Sequence, residues 1–389
     1  MNPTFKKHIS EAAAKFGSPS WRVLESAQGA RVCINGEWKI SLCSNNYLGL
    51  ANHPAVKEAA AQALTQFGAG MAAARSLSGS TPLHEALEKE LAEFKGTQAA
   101  LVFNSGFVTN SGVIPALVSK GDAVFSDEIN HGSIVDGCRL SGAEKYIYPH
   151  GEMAVLEQHL KDSMRCRMRM VVADAVFSMD GDIAPIPEIV ELCERYDAFL
   201  MIDEAHATGV LGDGGRGAAE HFHVEGRVDV IMGTLGKALG SIGGYIAGDK
   251  ALIDHLARTA RSFLLTTSLP APCVAAALVG LRILRGDPQL RQRLWRNTGF
   301  YREALRELGF NTMNSKTPIV PILVGDDDTA QQFQERLYQK GVYVTKIGAP
   351  YVPRGTARLR TIVSAVHTEE DLREAIAILE NVGRELSII

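Results

Sequence analysis

Between about residues 68 and 250 this chain alternates two patterns, and that alternation restricts its fold more than any other feature. Short runs are apolar at nearly every position: Ala99–Phe103, Ala123–Phe125, Met170–Ala173, Phe199–Asp203 and Val228–Met232. Stretches with helical spacing, such as Leu83–Phe94 and Ile186–Tyr196, lie between them. A strand that is apolar on both sides has to be covered on both faces, and the intervening helices supply the cover. The pattern therefore predicts an α/β fold with a mostly parallel sheet between helices. Residues 1–50 read as an N-terminal arm, with a polar helix, a break at Gly17-Ser18-Pro19-Ser20 and a short β-rich stretch. A helix is expected from about Pro54 to near Gly68. From about 285 the pattern changes to amphipathic helices (Arg291–Leu308, Ala330–Lys340, Glu369–Leu386) and strands at Ile319–Val324 and Gly341–Thr345. At 389 residues the chain is long for one core. A large domain over 51–284 and a smaller C-terminal α/β domain over 285–389 are expected.

In parallel sheets ligand-binding groups collect at the carboxyl ends of strands. Asp203 stands at such an end, in Phe199-Leu200-Met201-Ile202-Asp203-Glu204-Ala205-His206. Downstream, Lys237 sits among small residues in Gly233-Thr234-Leu235-Gly236-Lys237-Ala238-Leu239-Gly240. A lysine placed this way can form a Schiff base with an aldehyde cofactor, and an acid can keep that cofactor's pyridine nitrogen protonated. The bland alternatives are a surface lysine in a glycine-rich loop and a strand-end Asp that caps a helix. His206, three residues past Asp203, is within reach of the same cofactor. Ser105-Gly106-Phe107 follows one strand and opens a helix, where free amides suit a phosphate. The Thr234 hydroxyl can serve the same phosphate. His131, in Ser126–Ser133, offers a flat ring for stacking or a helix cap. Arg358 and Arg360 alternate on one strand face, and a guanidinium fork matches a substrate carboxylate.

Composition narrows the function class. The net charge is −4 with both signs interspersed, so no basic block points to nucleic acid. Six scattered cysteines (33, 43, 138, 166, 193, 273) form no CxxC and read as free thiols of a reducing compartment. No stretch is apolar for long enough to span a membrane, and the first residues lack an apolar signal core. A cytoplasmic protein is the expectation. HExxH, Walker A and GxSxG motifs are absent. The run 211–217 is only loosely like a nucleotide loop, and His221-Phe222-His223 reads as an exposed loop.

Together these residues carry a resemblance. The segments Ser44–Leu50, Ser126–Ser133, Phe177–Gly181, Asp203–His206, Gly233–Gly240 and Ala357–His367 resemble the α-oxoamine synthase family of fold-type I pyridoxal 5'-phosphate (PLP) enzymes, over almost the whole chain. The resemblance implies that Lys237 carries PLP, that Asp203 pairs with its ring nitrogen and that His131 stacks on the ring. It further implies that Ser178 and His206 contact the phenolic oxygen, and that Ser105, Gly106, Phe107 and Thr234 surround the phosphate. Asn45 and Arg360 would hold the amino-acid carboxylate. A homodimer with a shared active site is implied, Thr266 reaching the phosphate of the other subunit. The implied substrates are a small amino acid and an acyl-CoA, joined with release of CoA to give an amino ketone. Segments 22–29, 352–355 and 364–368 are similar to the member that joins glycine to acetyl-CoA. The run 203–212 matches at least as well the member that uses alanine and a pimeloyl thioester. Residues 267–270 resemble the branch that uses serine and a palmitoyl donor. Segment 68–75 is richer in alanine than the family pattern. The rival within PLP enzymes is an aminotransferase, which needs a 2-oxo acid and no thioester.

Overall fold

The computed structural model describes residues 1–16 and 21–389, so the break expected at 17–20 lies outside the described residues. Its centre is a seven-stranded sheet. After two arm strands, β1 (Arg31–Ile34) and β2 (Glu37–Ser41), come β3 (Ala99–Phe103), β4 (Ala123–Asp127), β5 (Glu144–Tyr148), β6 (Arg169–Asp174), β7 (Phe199–Asp203), β8 (Val230–Thr234) and β9 (Gly244–Gly248). The spatial order is β3-β9-β8-β7-β6-β4-β5. Strands β5, β4, β6, β7 and β8 pair in parallel, and β9 runs antiparallel to both β8 and β3. The mostly parallel sheet expected from the apolar runs is therefore present, with β9 as its one reversed strand.

Two apolar clusters cover the two faces of this sheet. Val102, Phe125, Val171, Leu200, Ile202 and Ile231 face one side; Leu101, Val124, Met170, Val172, Met201 and Met232 face the other. Neighbouring residues along one strand thus go to opposite cores, which is why the runs carry no polar alternation. Gly233 is where β8 needs a glycine. It pairs with Tyr245 of β9, and a Cβ on it would come within 2.3 Å of the tyrosine ring.

A third cluster, including Val320, Ile322, Phe333, Leu359 and Leu379, belongs to the C-terminal part, but Ile40 and Leu42 of the N-terminal segment join it. There β10 (Ile319–Gly325) pairs with β13 (Ala357–Ile362), and β13 with β12 (Thr345–Ile347). The strand expected at 341–345 is instead two. Strand β11 (Val342–Tyr343) adds to β2 while β12 turns to β13, because Val344 between them is buried in the third cluster and the chain bends around it. No helix among the described residues is long and apolar enough to cross a membrane.

Candidate active site

The carboxyl ends of β6, β7 and β8, the segment after β4 and the start of the helix Gly106–Leu117 line a cavity of about 150 Å³. Asp203, the last residue of β7, is 4% exposed. Its carboxylate accepts from Asn110 Nδ2 at 2.7 Å and from the Ala205 amide at 2.8 Å. Lys237 enters from the loop after β8. Burial lowers the amine's pKa to about 8, against the opposing pull of Asp203 and Asp174. A lysine so depressed is partly neutral near physiological pH and can attack a carbonyl. Asp174, at the end of β6, is pushed well above the usual carboxylate range by burial and by the charge of Asp203.

The anion end is built by the helix. Ser105 caps it, its hydroxyl accepting from the Val108 amide at 3.2 Å. That leaves the first amides, on Gly106 and Phe107, open to the cavity. A Cβ on Gly106 would stand 3.1 Å from Met232 Cε, a tight contact to which the methionine tip would have to yield. Thr234 also lines the cavity, but its hydroxyl hydrogen goes to the Gly243 carbonyl at 2.8 Å.

His131 and His206 both line the cavity. His131 is exposed and caps the helix Gly132–Ser141, its Nδ1 accepting from the Ser133 amide at 3.2 Å. The helix-cap reading is therefore correct for one nitrogen, while the ring remains open toward the cavity. Its backbone amide is anchored on Asp174 Oδ2 at 2.6 Å. His206 is buried, and its pKa falls well below the ordinary histidine value through burial, then through the cations Lys237 and Arg360. Its Nδ1 lies 2.7 Å from the Tyr47 hydroxyl.

Ser178 lines the cavity on a loop that both halves of the molecule hold. Arg360 donates from Nε to the Ser178 carbonyl and from Nη2 to Asn45 Oδ1 at 3.2 Å. Asp180 pairs with Arg358, and Thr317 donates to the Gly181 carbonyl at 2.9 Å. From the large half, His150 Nε2 meets Asp182 at 2.9 Å while its Nδ1 meets Asp127 at 3.1 Å. Of the sequence-derived candidates, Gly106, Phe107, His131, Ser178, Asp203, His206, Thr234 and Lys237 meet at the cavity. Asn45 and Arg360 adjoin it through Ser178. Ser105 acts as a cap, and Thr266 stands outside the cavity, 3.4 Å from Asn104.

Sequence reasoning missed Asn110, Ser133, Asp174 and Tyr47. Asn110 is five residues past Ser105, one helical turn and a little more, and that spacing was the one available signal. Sequence reasoning also missed the support beneath Asp203. Buried Lys95 pairs with Glu204 and donates to Thr208 Oγ1 at 2.8 Å, and Thr208 meets the Tyr245 hydroxyl at 3.0 Å. A larger cavity of about 950 Å³ opens at the opposite, amino ends of the strands, among residues such as Gln98, Arg167 and Asp229. None of the site residues line it.

A buried acid, a depressed lysine, an open pair of helix-terminal amides and a flat ring suit a cofactor with a cationic ring nitrogen, an aldehyde and a phosphate. The comparisons agree. The model of the family described as aminotransferase class I and II matches residues 37–379. An 8-amino-7-oxononanoate synthase of Thermoanaerobacter pseudethanolicus is 50% identical over 94% of this chain and 93% of its own length. Serine palmitoyltransferase of Sphingomonas wittichii superposes with a TM-score of 0.93 at 32% identity, covering 100% of this chain and 98% of that one. A lysine-to-alanine variant of serine palmitoyltransferase from S. paucimobilis, solved with a bound PLP–myriocin aldimine, gives 0.92 at 31% identity, with 99% of each chain covered.

Proposed function

Because this chain belongs to the aminotransferase class I and II family, and within it to the α-oxoamine synthases, we propose that it binds PLP and carries out the reaction for which its 50%-identical relative is named. That reaction joins alanine to a pimeloyl thioester. A bond forms between the alanine Cα and the thioester carbonyl, the C–S bond breaks to release the thiol, and the alanine carboxylate leaves as CO2, giving 8-amino-7-oxononanoate. The single observation carrying this choice is the relative's identity over 94% of the chain. It outweighs the glycine and acetyl-CoA reading suggested by segments 22–29 and 352–355.

Bound PLP supplies the electron sink that makes the substrate Cα acidic. The protein's own groups do the rest. Lys237 would hold the cofactor, and its free amine would take the Cα proton. Asp203 is already fixed by Asn110 and the Ala205 amide, so it would meet the pyridine nitrogen without reorganising. The Gly106 and Phe107 amides bind the phosphate. His131 would lie against the ring, and His206 and Ser178 would face its oxygen. Arg360, steadied by Asn45, takes the carboxylate with its remaining donors. The open rim of the cavity and the position of Thr266 outside it support a homodimer in which the second copy completes the phosphate site.

The test is thiol release with glycine, alanine or serine crossed against acetyl-, pimeloyl- and palmitoyl-CoA. Alanine with pimeloyl-CoA is expected to win. A serine and palmitoyl-CoA winner would move the protein to the branch whose solved structures it superposes on. Silence in every pair, with amino transfer to a 2-oxo acid, would overturn the synthase reading.

A further inference from the structure

The two cavity histidines share a construction. In each, Nδ1 faces a hydroxyl of this chain, and Nε2 has no partner among the described residues.

For His131 the direction of the hydrogens follows from the donors. Asn110 is fully buried, with its amide against Asp203 and Ser133. Only Nδ2 can face a carboxylate, so Nδ2 also donates to Ser133 Oγ, at 2.9 Å. Asn110 Oδ1 is left buried without a partner, as that orientation requires. Having accepted from Asn110, Ser133 Oγ gives its own hydrogen to His131 Nδ1 at 2.8 Å. The Ser133 amide, which can only donate, points to the same nitrogen. Two donors on Nδ1 place the ring hydrogen on Nε2.

For His206 the direction follows from the needs of the Tyr47 hydroxyl. Tyr47 is 1% exposed and its hydroxyl has one partner among the described residues, His206 Nδ1. If the hydroxyl accepted, its own hydrogen would be buried and unpaired. If it donates, only a lone pair goes unused, which costs less.

From these contacts we infer that Tyr47, and Asn110 acting through Ser133, lock His206 and His131 as neutral rings with their hydrogen on Nε2, so that both present hydrogen-bond donors, and no lone pair, to the cavity. Tyr47, Ser133 and Asn110 are positioning residues. The consequence for catalysis rests on the function proposed above. A donor from His206 suits the oxygen of the ring or of the acyl group, and neither histidine competes with Lys237 for the Cα proton. The lock itself rests only on this chain's hydrogen bonds.

The deciding experiment is NMR of protein labelled with 15N in its histidine rings, recorded with PLP bound and after its removal, from pH 6 to 8. Resonances are assigned with His131→Asn and His206→Asn. Both rings are expected to show a bare Nδ1 and a protonated Nε2 in both states. An Nδ1–H or a doubly protonated ring at either position overturns the inference. Tyr47→Phe, which removes one oxygen, is expected to give His206 a mixture of tautomers, leave His131 unchanged and lower kcat/KM about tenfold. An unchanged His206 tautomer in that variant overturns the role of Tyr47. Where the variant does not fold, the parent spectrum still decides. Protein that takes up no PLP would defeat the functional reading, while the spectrum of that same protein still tests the lock.

Discussion

At the scale of single residues, Lys237 and Asp203 were legible because each is announced locally. One follows a strand in a glycine-rich stretch, and the other ends an apolar run. Their partners were not legible. Asn110 lies 93 residues before the Asp203 it holds, and Tyr47 lies 159 before His206. Sheet order brings them together, and a hydrogen bond across that distance leaves no periodicity to read. The environment of Lys237 makes a measurable difference. In protein stripped of cofactor, its amine is expected to react with a small aldehyde or acylating probe with a midpoint near pH 8, well below an exposed lysine's usual value of about 10.4. Labelling at each pH followed by peptide mass analysis reads the midpoint, and a midpoint above pH 10 would contradict the buried setting. Lys237→Ala is expected to lower turnover by about 10²–10⁴-fold, because the proposed covalent attachment and proton acceptor are both removed.

At the scale of elements, β3 and β7 begin and end where their apolar runs do, while β4 runs two residues past its run, β8 lies two residues beyond the run at 228–232, and β5 was not read. Strand β9 was not read as one, since its small residues Gly244, Ala247 and Gly248 carry little hydrophobic signal. The loop holding Ser178 was legible as a polar strand end, but its ties were hidden, for they come from β4, the turn after β5, and β13. One tie is pH-sensitive. His150 between Asp127 and Asp182 has its pKa raised to about 10, chiefly by its hydrogen bonds to those two carboxylates. A histidine whose folded pKa is raised stabilises the fold fully below its unfolded value of about 6.5, and progressively less as pH rises through the folded value. The urea midpoint of the parent is therefore expected to exceed that of His150→Gln at pH 6, the gap closing toward pH 10. A gap that stays constant with pH would mean that the imidazole acts there by shape alone.

At the scale of the whole molecule, the sequence separated a sheet-bearing large part from a C-terminal part. It did not show that Ile40 and Leu42 return to the C-terminal core, because a short apolar stretch does not name the core it will join. The proposed site draws on three regions: Asn45 from the N-terminal segment, Lys237 and Asp203 from the central sheet, and Arg360 from the last strand. Sedimentation equilibrium is expected to give twice the chain mass of 42.0 kDa. Mixing Lys237→Ala with a Thr266→Val protein, each impaired alone, is expected to restore part of the activity if Thr266 serves the opposite subunit. No recovery after confirmed subunit exchange would place Thr266 outside the catalytic site.

Arg360 grips the carbonyl of Ser178, a residue that lines the cavity. Any anion that claims part of this guanidinium alters how firmly Ser178 is held, and thermodynamic reciprocity makes the influence mutual. If Arg360 takes the substrate carboxylate as proposed, affinity for that carboxylate and affinity for whatever rests against Ser178 should shift by a common factor. On that assignment, recognition of one end of a ligand is a lever on the other.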